Sequence, residues 1–307
     1  MHNLIHQINN NYNQLNNFLF INAWNNYYEG TYLEPDSKYG YSSLNSLSKA
    51  LFNLPFKTIH NNLSYLIANC SVAIQVHVFY DDLIEEIINK TNNILVKFDL
   101  YITTDNNKKM AFINQYIKKR SKANKYKIKI VKNKGRDVIP FLIQMTDIIK
   151  KYKYFCHIHS KKHISKSAYG MKWRHYLYAN LLGNKELIRE IISDFENYKK
   201  LGIIFPETFY QAVPFTMHVR KSTKKKMDYL INKLFHGTKI GDKYFDFPAG
   251  NMFWARNEAV YQIFQKNIIQ EIINKGITNP ILWAIERLWL FIIKLNGFYY
   301  KKYFKFF

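Results

Sequence analysis

The sequence predicts an α/β fold, with a mainly parallel β-sheet flanked by helices on both faces. Between residues 71 and 160, short runs rich in β-branched and aromatic residues alternate with stretches of helical period. Strands that alternate with helices at this spacing imply right-handed crossovers and therefore parallel pairing. Polar residues also gather where four of the predicted strands end. A chain of 307 residues is long enough to bury a substantial core around such a sheet.

Strands and helices follow one another in this first half of the chain. The predicted strands are 71–79, 98–104, 126–132 and 154–159, and the predicted helices between them are 82–90, 108–120 and 137–152. Asp137 is a candidate N-cap of the third helix, and Pro140 is tolerated in its first turn.

The second half mixes its elements. Its predicted elements are helices at 168–182 and 184–199, a short buried strand at 202–205, a charged loop or helix start at 221–226, a turn running into an aromatic strand at 247–256, and a last helix opened by Pro280. Residues 1–68 are rich in Asn, Tyr and Ser without a clean period. We therefore expect a mostly helical or irregular accessory region at 1–68 and the main domain at 69–307.

The predicted strand ends carry the candidate binding residues. Open α/β sheets bind ligands outside the carboxyl ends of their strands. The polar side chains expected at this edge are His77; Thr103, Thr104 and Asp105; Asn133, Gly135, Arg136 and Asp137; and His157, His159, Lys161 and Lys162. A glycine-centred turn that opens a helix, beside imidazole and ammonium groups, is suited to an anion such as a diphosphate.

Individual residues in this group leave alternatives open. Asp137 is either a helix cap or an acceptor for a ribose hydroxyl, and the two roles are compatible. Arg136 is either a surface charge, a partner of Asp137, or a clamp for phosphate oxygens. His157 and His159 face the same side of a strand, so they either contact substrate or ligate a metal ion together with Asp137.

Composition limits the other classes of function. The net charge of +23 points toward acidic partners, but Lys and Asn are over-used throughout the chain, which weakens that inference. The two cysteines lie far apart and indicate buried thiols in a reducing, intracellular setting. No signal peptide or membrane span is expected. The aromatic and lysine-rich tail at 298–307 suits either an anionic membrane surface or a final core-capping element.

Several blocks together resemble a known family. They are HVFYDDL, FDLYITT, NKGRDVIPFL, HIHSKKH with WRHYLYANLLG, FPAGNMFWAR and AIERLW, and their order and spacing between about residues 71 and 296 resemble the rhamnan synthesis protein F family of bacterial glycosyltransferases. The resemblance implies transfer of rhamnose, or of another deoxyhexose or hexose, from a nucleoside diphosphate donor to a cell-envelope polysaccharide such as an O-antigen or capsule.

The order of elements is also similar to a GT-A (Rossmann-like) glycosyltransferase, with one departure. In that fold the fourth strand usually ends in an Asp-x-Asp motif that holds a divalent cation, whereas here it ends in His157, His159, Lys161 and Lys162. Lysine ammonium groups can neutralise a diphosphate directly, so we expect a metal-independent enzyme. The alternative is Mg²⁺ or Mn²⁺ held by His157, His159 and Asp137.

Inverting sugar transfer needs one carboxylate that takes the acceptor proton. Glu286 is the candidate base, because its place in an apolar helix resembles that of the catalytic acid in the Glu-Asp motif of inverting GT-A enzymes. The alternative for Glu286 is a charged residue on the exposed stripe of that helix. Asp246 is the second candidate base. The candidate acceptor-binding residues are Gly250, Phe253, Trp254 and Arg256, with the aromatic rings as a platform for a sugar face.

The expected partners follow from this assignment. They are a dTDP-, UDP- or GDP-linked sugar and a lipid-linked glycan acceptor, met in the cytoplasm or at the inner face of the membrane, with no nucleic acid. Two other classes remain. A metal-dependent phosphoester hydrolase or phosphotransferase would use His157, His159, Asp137 and Asp105. A nucleic-acid or membrane-surface binding protein would act through net charge alone.

Overall fold

A computed structural model describes most of the chain from residue 71 onward and a short segment before it. The described residues are 21–34, 71–162, 168–216, 219–240 and 246–303, with isolated positions at 43 and 47. The chain divides into two compact units, one made of Met1–His60 with Phe304–Phe307 and the other of Asn61–Tyr303. In the first unit, β1 (Asn25–Asn26) and β2 (Thr31–Tyr32) form an antiparallel hairpin. The rest of the predicted region 1–68 lies outside the described residues.

The second unit contains seven strands and ten α-helices among its described residues. The strands are β3 (Ser71–His77), β4 (Lys97–Thr104), β5 (Lys125–Ile130), β6 (Tyr154–His159), β7 (Leu201–Pro206), β8 (Phe253–Arg256) and β9 (Tyr299–Tyr303). The helices are α1 (Ile84–Thr91), α2 (Asn107–Arg120), α3 (Val138–Thr146), α4 (Ala168–Leu182), α5 (Lys185–Asn197), α6 (Val213–Thr216), α7 (Lys221–Leu234), α8 (Asn257–Val260), α9 (Lys266–Asn274) and α10 (Asn279–Leu295).

The seven strands form one mixed sheet in the order β5-β4-β3-β6-β8-β7-β9. Strands β5, β4, β3 and β6 are parallel, β8 runs antiparallel to both of its neighbours, and β9 is parallel to β7. The α/β prediction is therefore confirmed. The chain moves from β3 outward to β5 and then returns to the other side of β3 as β6, which makes the β3/β6 boundary a topological switch point.

Helices cover both faces of the sheet. Helices α1, α2, α4 and α5 contact one another in one layer, while α3 contacts α9 and α10 in the other. Because side chains alternate along a strand, Phe155 packs on the α3 side and Tyr154 packs on α5 through Phe195. The inner strands are buried on both faces, as parallel strands between two helical layers must be.

Several element boundaries differ from the predicted ones by a few residues, and two predicted alternatives are resolved. Residues 221–234 form a full helix, α7, which packs against α10, so 221–226 is a helix start. The helix predicted at 137–152 ends at Thr146 and is followed by a 3₁₀ turn. The described part of the tail, Tyr299–Tyr303, is an edge strand of the sheet, and residues 304–307 lie outside the described residues. Among the described helices, none has the length and apolar character that crossing a bilayer requires.

Candidate active site

Three strand ends meet at the switch point and present polar side chains on the α3 side of the sheet. His77 ends β3 and lies in register with Thr103 of β4 and with His159 of β6. The Nδ1 atom of His77 lies 3.0 Å from the Thr103 hydroxyl. His157 lies two residues before His159 on the same face, and its ring stacks on Phe141 of α3 at 3.8 Å between centroids. The sequence-predicted histidines therefore share one crevice.

The loop before α3 brings a carboxylate to these histidines. Gly135 and Arg136 both have positive φ, at 86° and 55°. A Cβ atom on Gly135 would lie 2.2 Å from Cγ1 of Ile139, so only glycine fits this turn. The turn directs Asp137 away from the helix end, where it makes no capping hydrogen bond. Its Oδ2 atom lies 3.8 Å from the Nε2 atoms of both His157 and His159, so the predicted N-cap role is wrong.

Asn251 completes the arrangement from the loop before β8. It is buried, it has a φ of 54°, and its Nδ2 atom donates to Oδ2 of Asp137 at 2.8 Å. Its Oδ1 atom accepts from the Trp289 indole at 2.9 Å. Because an indole N–H can only donate, the orientation of the Asn251 amide is determined by Trp289. The amide therefore presents its N–H groups to Asp137 and, at 3.5 Å, to Nε2 of His157.

A buried chain of amides determines the protonation of His157. Gln144 donates to the backbone carbonyl of Ile102 at 3.0 Å, so its own side-chain oxygen is left to accept from Gln75 at 2.9 Å. The oxygen of Gln75 then lies 2.6 Å from Nδ1 of His157 and can only accept. His157 therefore carries its proton on Nδ1, and its Nε2 lone pair faces Asn251.

The backbone of Gly250 hydrogen-bonds to two of the predicted site residues, His159 and Glu286. Its carbonyl accepts from Nε2 of His159 at 2.9 Å, and its N–H donates to Oε1 of Glu286 at 2.8 Å. The φ of Gly250 is 93°, and an added Cβ would lie 2.9 Å from Leu177, so this position also requires glycine. Glu286, on α10, is thereby held beside the histidine cluster, as the sequence predicted for a site residue.

Burial sets the charge states of the cluster. It lowers the pKa of His77 and of His159 to about 4, against partial compensation by the Asp137 carboxylate, and it also lowers the pKa of His157. Burial alone would raise the pKa of Asp137. The imidazoles of His159 and His157 and the N–H of Asn251 lower that pKa by more, so Asp137 is ionised and the histidines are neutral at neutral pH.

Glu286 and Lys161 each affect the pKa of the other. Burial raises the pKa of the Glu286 carboxyl and the charge on Asp137 adds to this, while Arg287 and the Gly250 N–H oppose it. Burial lowers the pKa of Lys161, and the carboxylates of Glu286 and Asp137 oppose that shift. A carboxyl group with a raised pKa is a better proton acceptor than an ordinary one, which is a frequent property of catalytic bases.

Lys161 lies on an aromatic ring and not in a salt bridge with an exposed carboxylate. Its Nζ atom lies 4.0 Å from the centroid of Trp173, in a cation–π contact. Lys162, its neighbour, points elsewhere and pairs with Asp82. Of the two predicted lysines, only Lys161 therefore lies at the cleft.

The cluster fits a divalent cation poorly. Nε2 of His159 carries the proton that it donates to Gly250, so it offers no lone pair to a metal in this tautomer. The lone pair of His159 is then on Nδ1 and not on the nitrogen beside Asp137, so Nε2 of His157 and the carboxylate of Asp137 are the donors near one point. Two donors are fewer than structural or catalytic metal sites supply. Over the described ranges, no group of three or more His, Cys, Asp or Glu side chains is placed to hold a metal ion.

Several other predicted residues have contacts outside the cluster. Asp105 pairs with Lys109 at 2.9 Å, and Asp246, the second candidate base, pairs with Lys302 at 2.7 Å. Asn133 is exposed. Thr104 is buried on the opposite face of β4 from Thr103, and no partner for its hydroxyl is found among the described residues.

The predicted acceptor platform is wrong for three of its four residues. Phe253, Trp254 and Arg256 are buried in β8, because helices cover both faces of the sheet there. The Trp254 indole donates to the carbonyl of Leu181, and the Arg256 guanidinium donates to that of Leu201. These side chains hold the sheet to its helices and cannot stack on a sugar.

Three site residues were not predicted, and two carry a signal in the sequence. Gln75 is a polar residue in the middle of the apolar strand SVAIQVH, where an uncompensated amide would be costly. Asn251 follows a glycine just before an aromatic strand, which is a pattern typical of left-handed turns. Gln144 lies within α3 without a comparable signal.

Two comparisons relate this chain to known proteins. The sequence model described as rhamnan synthesis protein F matches residues 24–298. Two curated relatives are similar over 251 residues at 27% identity, covering 81% of this chain, and both are named uncharacterized protein WxcX, from Xanthomonas campestris pv. campestris strains B100 and ATCC 33913. The match takes up 34% of the length of those relatives, so the chain corresponds to about a third of each. Because the family model covers most of the chain, the protein belongs to the rhamnan synthesis protein F family.

Proposed function

We propose that the chain is a GT-A-like, inverting glycosyltransferase that moves a sugar from a nucleoside diphosphate donor to a polysaccharide acceptor. Membership of a family described by rhamnan synthesis indicates polysaccharide biosynthesis. The observation that carries the proposal is the joining of Glu286 to His159 through Gly250 at the switch point of the sheet. That edge is where open α/β sheets bind nucleotides.

Glu286 acts as the base in this proposal. As the acceptor hydroxyl attacks the anomeric carbon, its oxygen forms the new glycosidic bond and its proton passes to the Glu286 carboxylate. The bond between the anomeric carbon and the diphosphate oxygen breaks at the same time, and the electron pair leaves with the nucleoside diphosphate. The Gly250 N–H holds one carboxylate oxygen in place, leaving the other for the incoming hydroxyl.

The leaving diphosphate is stabilised by fixed positive charge in place of a metal ion. Lys161 supplies an ammonium group beside Glu286, and the positive-φ turn at Gly135 and Arg136 exposes backbone to an approaching anion. The ionised Asp137, held by Asn251, would accept a hydrogen bond from a donor hydroxyl. This arrangement supports activity without Mg²⁺ or Mn²⁺.

The partners belong to the same proposal. The donor is a dTDP-, UDP- or GDP-linked rhamnose or related hexose, and the acceptor is a lipid-linked envelope glycan at the cytoplasmic face of the membrane. The exposed tyrosines of β9, Tyr299 and Tyr300, would support a peripheral contact with the membrane surface.

Two measurements test the function. Thermal-shift titration with dTDP, UDP, GDP and CDP, with and without a chelator, should show stabilisation by one nucleotide that survives metal removal. In a sugar-transfer assay with the matching donor, Glu286→Gln should lower kcat by at least about 100-fold while leaving donor binding intact. Glu258→Gln, which neutralises an exposed carboxylate on α8, is the matched control and should keep full activity.

Three results would argue against these roles. Full turnover by Glu286→Gln would remove Glu286 as the base. Absence of any nucleotide response would remove the donor site, and nucleotide binding only in the presence of metal would require the histidines to act as ligands.

A further inference from the structure

Two arginines from distant parts of the chain converge on one tryptophan ring beside the cleft. The guanidinium carbon of Arg136 lies 5.9 Å from the ring centroid of Trp283, and that of Arg220 lies 5.2 Å from it. Arg136 precedes α3, Arg220 precedes α7, and Trp283 lies on α10. Both positive charges are therefore gathered at one side chain.

Neither charge is neutralised by a carboxylate within the described part of the chain. Arg136 donates to the amide oxygen of Asn279 at 2.9 Å, and its remaining N–H groups have no protein acceptor there. Arg220 is exposed and lies over Trp283, and no carboxylate pairs with its guanidinium among the described residues. Like charges held together repel each other, and a bound anion would offset that repulsion.

Trp283 gives the arginines a fixed orientation. It is partly exposed, and a guanidinium that packs on an aromatic ring keeps its N–H donors free for an anion. The positive φ of Arg136, at 55°, is an uncommon conformation that directs this side chain toward α10. The chain thus keeps a strained residue at a position where its charge meets a second one.

The position of the pair indicates which substrate it serves. Trp283 lies one helical turn before Glu286 on the same helix, and Arg136 immediately precedes Asp137. In the proposed reaction the base approaches from the side opposite the leaving group, so the Glu286 side of the cleft is the acceptor side.

We propose that Arg136, Arg220 and Trp283 form a binding site for a phosphate or diphosphate group carried by the acceptor. The anion site itself stands on the geometry of these three residues, whereas its assignment to the acceptor rests on the proposed role of Glu286. The donor also carries a diphosphate, so the same chemistry has two sources that an experiment must separate.

Inorganic diphosphate, titrated by calorimetry into the full chain, is the probe for the site. Arg220→Gln should weaken its binding by about 10-fold or more, because a charged, bidentate contact is lost. Lys225→Gln removes the same charge from an exposed position on α7 and should weaken binding by less than about 2-fold. Equal affinity in the wild type and Arg220→Gln would overturn the site.

The tryptophan gives a second, charge-neutral test. Trp283→Leu removes the support while keeping both arginines and should weaken diphosphate binding by about 3-fold to 10-fold. Trp283→Phe keeps an aromatic face and should restore most of that loss. Unchanged binding in Trp283→Leu would show that the ring does not orient the arginines.

A competition experiment separates the two sources. In protein saturated with the nucleoside diphosphate that stabilises it, inorganic diphosphate should still bind, and that binding should still depend on Arg220. Loss of this binding would overturn the acceptor assignment and give the arginines to the donor diphosphate. Since the calorimetry needs no sugar transfer, failure of the anion site is distinguishable from failure of Glu286 as base.

Discussion

Replacing Asn251 with aspartate would test the central contact of the cluster. The change is isosteric, so the oxygen that accepts from Trp289 remains, and the N–H donors toward Asp137 and His157 are lost. An oxygen would then lie at the 2.8 Å position now held by the amide nitrogen, facing another carboxylate. Two carboxylates at this distance cannot both ionise without strong repulsion.

The magnitude has a lower and an upper bound. A hydrogen bond to a charged group contributes about 1.5–3 kcal/mol, which is the least that Asn251→Asp should cost at pH 7. The variant can avoid the repulsion by taking up one proton, and raising a carboxyl pKa from about 3.9 to 7 costs about 4 kcal/mol. The expected loss in unfolding free energy at pH 7 is therefore about 2–4 kcal/mol.

The loss should shrink at low pH, because the added proton is then nearly free. At pH 4.5 the cost of protonation falls to about 1 kcal/mol, and the protonated carboxyl can donate to Asp137 as the amide did. Urea unfolding, followed by circular dichroism at pH 7 and pH 4.5, measures the difference from wild type at each pH. Asn274→Asp, an exposed change of the same charge, should shift stability by less than about 0.5 kcal/mol at both. An equal deficit at the two pH values would refute the direct contact between Asn251 and Asp137.

Two further predictions concern the turn and the histidines. Gly135→Ala should lower the free energy of unfolding by about 2–4 kcal/mol, because the new Cβ atom meets Ile139 at 2.2 Å and the residue has a φ of 86°. The control Gly237→Ala has a φ of 77° but no atom within 4 Å of the new Cβ, so it should cost only about 1–2 kcal/mol. Equal melting temperatures for the two variants would contradict the packing argument. Burial lowers the pKa of His159 to about 4, so the unfolded chain binds this proton more readily than the folded chain does. The free energy of unfolding is therefore at its full value above about pH 6.5 and decreases as the pH falls toward 4. His159→Gln should flatten the unfolding free energy in that window, and an unchanged slope would show that His159 titrates normally.

Much of the fold could be predicted because its signals are local. The strand Tyr154–His159 and the helix Ala168–Leu182 occur at their predicted bounds, since periodicity and turn residues act over a few positions. The gathering of His77 with His159 also followed from the sequence, because parallel strands place their carboxyl ends at one edge.

The aromatic strand shows where that reasoning fails. Phe253 and Trp254 point to opposite faces of β8, and a strand with only one covered face would have exposed one of them. Both are buried because β8 lies between two strands and two helical layers, which local sequence does not reveal. Asp246 likewise has the chemistry of a base, but it forms an ion pair with Lys302 of β9. The two residues are 56 positions apart in the sequence, so local sequence patterns do not reveal their contact.

The sequence by itself determined the α/β class, the order of its elements and the set of strand ends that supply imidazole, carboxylate and ammonium groups. Only the tertiary structure decided which of these groups act together. It placed Glu286 beside the histidine cluster and Asp246 in an ion pair with Lys302, set the Asp137 carboxylate near the histidines, and brought Arg136 and Arg220 to one tryptophan ring. The physical reason is that local propensity acts between near neighbours, whereas hydrogen-bond direction, burial and charge pairing are set by residues that meet only when the sheet and its helices pack.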